Sequence, residues 1–180
     1  SGRINSTGTI AIGDNIATAT IAGLTGGFFS ARTVTTLAIN GDFGAASAGT
    51  TGEARIGLLA AGAITISGAS RAELSVEREA TGLTLGGVVQ RSLFRFGNGV
   101  GAITAPSVSQ TVISAGDSIG AVTVTSDFFD SALVSGLDLG TDAFYGGSGL
   151  AADTLSSGTI GNVTIGGNFR ESDIVAGYVR

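Results

Sequence analysis

The sequence predicts an all-β protein, a parallel β-helix (β-solenoid) of about seven rungs of 19–20 residues with insertions, and three observations carry that prediction. A triplet of hydrophobic, usually Thr, hydrophobic recurs along the chain, and its first residues are Ile10, Leu37, Ile64, Leu83, Ile103, Val122 and Val163. Each triplet is followed by turn residues and then by a second short apolar stretch that often closes on Gly, as in Ser135-Gly136 and Ala176-Gly177. The composition agrees: 31 Gly with a single Pro, and 43% hydrophobic residues of which few are aromatic, suit thin aliphatic layers joined by tight turns.

The markers are spaced 27, 27, 19, 20, 19 and 41 residues apart, so the base period is interrupted. Extra segments near 25–30 and 48–56 account for the two early intervals, and an insertion at 136–159 for the last. No Pro-rich or charged linker divides residues 1–180, which read as one solenoid domain.

Within a unit the triplet alternates in, out, in. Ile64 and Ile66 point inward and Thr65 faces solvent, and β-branched residues favour strand over helix here. Turns follow at Gly13-Asp14, Asn40-Gly41-Asp42, Ser126-Asp127 and Gly167-Asn168, where Asn and Asp side chains bond their own backbone. An apolar residue then recurs as Ile16, Phe43, Val89, Phe128 and Phe169, which predicts an internal stack with Ser70 and Ser109 as its weak points. The second strand covers Thr111–Ala115, Ser131–Ser135 and Ser172–Ala176, and its in-out register is open because both alternate sets hold apolar residues. Ala69–Ala80 alternates Ala72, Leu74 and Val76 against Glu73, Ser75 and Glu77 and reads as a strand, with a short helix as the alternative. Every rung runs the same way, so strands of successive rungs pair in parallel about 4.8 Å apart, giving a body roughly 30 Å long.

Charge excludes several function classes. The net charge is −5, every basic residue is Arg, and no cationic stripe exists to release counterions from nucleic acid. No run approaches the roughly 20 apolar residues of a membrane helix, and no signal-peptide pattern is present. Absence of Cys removes disulfides and thiolate metal sites and is compatible with export. A first residue other than Met reads as a processed chain or an excised fragment.

Few residues are candidates for chemistry. Gly116-Asp-Ser-Ile-Gly120 has the spacing of a nucleophile elbow, but the chain holds neither His nor Lys to act as base, so the segment reads as a turn between rungs. The acid pairs Asp127 with Asp130, Glu171 with Asp173, and Glu77 with Glu79 could flank a sugar, although acids at turns also keep an apolar body soluble. The chain is read as a non-enzyme with no catalytic residue and no required cofactor. Calcium is the one metal left to oxygen ligands, with Asp138, Asp142 and Asp153 as weak candidates in an insertion that lacks an EF-hand spacing. The same insertion carries Phe144 and Tyr145, an aromatic pair suited to surface contact with sugar or protein, or to covering part of the solenoid. Asn5-Ser-Thr7 and Asn162-Val-Thr164 match glycosylation acceptors at chance frequency.

At the turns Gly41-Asp42-Phe43 and Gly167-Asn168-Phe169, and at the closing Ser-Gly and Ala-Gly pairs, the sequence resembles the β-helical repeats of large secreted and surface proteins of bacteria, including adhesins and autotransporter passengers. The resemblance covers nearly the whole chain, is one of pattern, and assigns no functional residue. It implies an extracellular or cell-surface location and a role as stalk, filament or adhesive surface. A carbohydrate-binding or carbohydrate-cleaving solenoid is the alternative. An acid- and aromatic-lined groove over three or more rungs would favour that alternative, and a smooth Ser/Thr-coated face would favour the scaffold. Terminal rungs expose strand edges, and no cap is visible after Gly177. The expected partner is therefore another copy stacking head to tail, or carbohydrate and other surface proteins, with no nucleic acid and no membrane span.

Overall fold

A computed structural model of the chain describes residues 3–4, 8–44, 54–138 and 154–177. Among these residues all regular structure is strand, and twenty strands join in one parallel sheet that coils around a common core. The fold is a parallel β-solenoid.

One rung shows how the sequence writes the coil. Ser118–Ile119, Val122–Val124, Phe128–Phe129 and Ala132–Ser135 are four short extended stretches separated by turns, and each pairs in parallel with its equivalent above and below. We refer to the four as ladders one to four. In earlier rungs the stretches merge, so that Ala54–Ser70 runs through all four ladder positions as one strand.

Ladder two is the Thr triplet. Leu37, Ile64, Leu83, Ile103, Val122 and Val163 are register partners in that order. Leu83, Ile103 and Val122 are buried in one continuous core, with Ile39, Ile66, Leu85, Ala105 and Val124 beside them. The register corrects the first marker: Ala19, not Ile10, pairs with Leu37, and Ile10 pairs with Phe29 in ladder four. The first interval is thus the 18 residues from Ala19 to Leu37, so no extra segment is needed at 25–30. The second long interval holds residues 45–53, outside the described residues.

Ladder three supplies the internal stack, with two corrections. Leu24, Phe43, Ala69, Val89, Val108, Phe128 and Phe169 lie one above another. Ile16 instead pairs with Val34 in ladder one. Ser70 and Ser109 are not weak points, because each sits one position further on and partners Gln90, while Ala69 and Val108 fill the inner column. The stack closes on Phe128 and Phe169, whose rings are parallel-stacked with centroids 5.8 Å apart.

Ladder four settles the open register. Ile56, Leu74, Phe94, Ile113 and Leu133 point inward and are buried, which makes Ala72–Val76 a strand and removes the helical alternative. The outer set is apolar because something covers it. After Gly136 the chain enters Leu137–Asp138, which pairs antiparallel with Thr154–Leu155, and Leu137 packs on Val134, Val112 and Ala132 outside the sheet.

Candidate functional site

Three features of the surface are built from these ladders: a hydroxyl spine at one corner, a flat Thr face, and a groove along ladder one.

The spine lies between ladders three and four. The residues that turn this corner, Arg71, Arg91, Gln110, Asp130 and Glu171, all have φ between 45° and 53°, a left-handed conformation uncommon outside glycine. The next residue in four of the five rungs carries a hydroxyl. Thr111 Oγ1 donates to the Ser109 carbonyl at 2.9 Å and accepts the Ser92 N–H at 3.2 Å. Ser131 Oγ repeats the pair with the Phe129 carbonyl at 2.7 Å and the Thr111 N–H at 3.1 Å. Ser92 and Ser172 continue the chain of bonds in the rungs on either side. Each hydroxyl therefore bonds one carbonyl within its rung and one amide of its neighbour; the carbonyl also accepts the N–H of the adjacent rung's corner residue, so it is the amide that a bare corner would leave unpaired. Outside this spine the side chains of Arg91, Gln110 and Asp130 are linked, Arg91 Nε donating to Gln110 Oε1 at 2.9 Å and Gln110 Nε2 to Asp130 Oδ2 at 3.3 Å.

The flat face is the outside of ladder two. Thr65, Thr84, Thr104, Thr123 and Thr164 are successive register partners, and all are exposed. The column before them reads Ala63, Gly82, Ala102, so this surface carries small uncharged groups.

The groove, about 640 Å³, runs along ladder one. One side presents Glu79, Asn98, Asp117, Ser118 and Thr159, which belong to four successive rungs; the other is a strip of Gly101, Gly120 and Gly161. Asn98 Nδ2 lies 3.5 Å from Glu79 Oε2. At Gly101 and Gly120 the strip has no room for a side chain. A Cβ on Gly101 would meet the Thr81 carbonyl oxygen, and one on Gly120 would come within 2.7 Å of the Gly101 carbonyl oxygen.

The predicted site residues distribute over these features unevenly. Gly116–Gly120 is the turn into ladder one, with Ser118 paired to Gly99 and Thr159 in the sheet, so no elbow is formed. Glu79 enters the groove, whereas Asp127 and Asp130 are each engaged in hydrogen bonds to neighbouring rungs. The Asn168 N–H and its Nδ2 donate to Asp127 Oδ1 at 2.8 and 3.0 Å, and these bonds, the backbone one first, hold the Asp127 carboxyl below its ordinary value. Asp173 stands in ladder four beside Ala132, and Glu171 turns the corner before it. Of the calcium candidates, Asp138 lies in the short antiparallel ribbon, and Asp142 and Asp153 lie outside the described residues, as do Phe144, Tyr145 and Asn5. No group of three or more acidic, His or Cys side chains able to hold a metal occurs among the described residues. Among the described residues no helix is long and apolar enough to cross a membrane.

Sequence reasoning missed the hydroxyl spine and the glycine strip. The signal for the spine was available in Arg91-Ser92, Gln110-Thr111, Asp130-Ser131 and Glu171-Ser172, a polar residue before a hydroxyl at rung spacing. Comparison with known proteins finds no matching family model, no matching curated protein and no matching solved structure.

Proposed function

We propose that the chain is an extracellular structural or adhesive scaffold, working as a self-assembling filament or surface-array subunit or as a segment of a larger surface protein. The observation that carries this reading is the Thr face lying outside an unbroken aliphatic core: a smooth, uncharged side on a body whose ladders add rung upon rung. Such a body resists unfolding because each inner rung is held from two sides. The groove carries the acids Glu79 and Asp117 but no aromatic side chain, so it meets only half of the pattern that would favour a carbohydrate-binding or carbohydrate-cleaving solenoid.

Self-assembly is supported by the outermost described rungs. Ile10 and Ile12 are 41% and 39% exposed at one end, and Phe169 and Ile174 are 48% and 39% exposed at the other. Ile10 and Ile174 occupy the same inward column of ladder four, so a copy stacked on another would continue existing columns, apolar on apolar. The purified chain is expected to form rods or fibres in negative-stain electron microscopy, with mass that rises with concentration in light scattering. A monodisperse monomer at high concentration would sink the self-assembly reading.

A further inference from the structure

From the groove along ladder one we infer a shallow binding site for an uncharged, hydroxyl-rich glycan strand, a property that stands or falls separately from the scaffold role. The groove follows the solenoid axis, and its polar groups come from four consecutive rungs, so they repeat at about 4.8 Å over roughly 15 Å. A ligand that uses all of them must be extended and must offer a hydrogen-bonding group at each step.

The two sides of the groove differ in the way a pyranose ring differs between its edge and its face. The carboxylates of Glu79 and Asp117 accept hydrogen bonds, the Asn98 amide donates and accepts, and the Ser118 and Thr159 hydroxyls do both. That mixture suits the rim hydroxyls of a sugar. Opposite them, Gly101, Gly120 and Gly161 expose only Cα–H groups and backbone, a floor on which the C–H face of a sugar can lie close. At Gly101 and Gly120 the floor cannot carry a side chain, since the neighbouring rung's carbonyl stands where a Cβ would go. The trough is thus a fixed product of backbone approach and needs no rearrangement to receive a ligand.

Charge narrows the ligand class. Glu79 and Asp117 disfavour uronates, sulfated glycans and nucleic acid by like-charge repulsion. With no aromatic platform in the lining, affinity must come from repeated contacts along the strand, so a longer chain should bind better than a short one.

The test uses the whole chain in isothermal titration with cellohexaose, maltohexaose and chitohexaose, their disaccharides, an oligogalacturonate and hexalysine. At least one neutral hexaose should bind more tightly than its disaccharide, the oligogalacturonate should not bind, and Asn98→Ala/Asp117→Ala should weaken binding at least tenfold with the melting temperature unchanged. Should the double variant fold poorly, amide shifts of the wild-type chain on titration with the hexaose provide the second reading, expected at Asn98, Ser118 and Gly120. The inference is overturned if none of the three neutral hexaoses binds, if the variant binds like wild type, if hexalysine alone binds, or if the shifts fall elsewhere. None of these failures touches the filament assay.

Discussion

At the scale of single residues, the hydroxyl spine and one buried serine make opposite demands on the same functional group. Thr111 Oγ1 is buried with both a donor and an acceptor role filled, whereas Ser135 Oγ is buried and has no hydrogen-bond partner. Ser135 occupies the inward column that holds Ala115 below it and Ala176 above it, so its hydroxyl is the polar exception in an alanine-sized space. Thr111→Val keeps the shape but strands the Ser92 N–H, which should cost about 1–3 kcal/mol, while Ser135→Ala removes an unsatisfied group and should be neutral or stabilising. Urea unfolding of the two variants distinguishes them, and an equal loss in both would refute the role given to the spine. Residue-scale features of this kind were the least legible in the sequence. A serine at a corner and a serine in a strand look alike until the register says which way each one faces.

At the scale of the element, periodicity was legible wherever the triplet opened on a large aliphatic residue and failed where Ala stood in its place. Leu83, Ile103 and Val122 were placed correctly because all three begin aliphatic-Thr-aliphatic triplets. Ala19-Thr20-Ile21 is the true first triplet, yet Ile10-Ala11-Ile12 has the stronger alternation and drew the marker nine residues early. Similarly, the outer face of ladder four carries Val112, Ala132 and Val134 for a tertiary reason, the covering Leu137, which no local pattern records. The insertion lengthens the chain between two rungs without breaking their stacking, and Asp127 helps to hold that joint by accepting two bonds from Asn168, 41 residues away. Since its folded-state carboxyl is held below the ordinary value near 4, its contribution is complete above that value and is lost as pH falls through the lower folded value. Wild type should therefore melt above Asp127→Asn at neutral pH, and the two melting temperatures should converge in strong acid. A gap that is constant across the range would mean that the carboxylate charge is not what matters.

For the whole molecule, stacking implies a gradient of stability. A rung in the middle is bonded on both sides, as ladder four shows where Ile113 lies between Phe94 and Leu133, while Ile174 has a described partner only in Leu133. In a one-dimensional array, stability is a sum of rung and interface contributions, so an outermost rung lacks one interface and should open first. Hydrogen exchange should then be slowest in Val112–Ala115 and fastest in Asp173–Ala176, and uniform protection would show that the rungs do not behave as separate units. Concentration adds a second axis to the same measurement. If copies stack end on end, the exposed columns ending in Phe169 and Ile174 gain the interface they lack, and exchange in the last rung should slow as concentration rises while the middle rungs stay unchanged. Exchange in the last rung that is fast at every concentration would leave the solenoid intact and remove the filament, because amides on one face of the joint would have reported none.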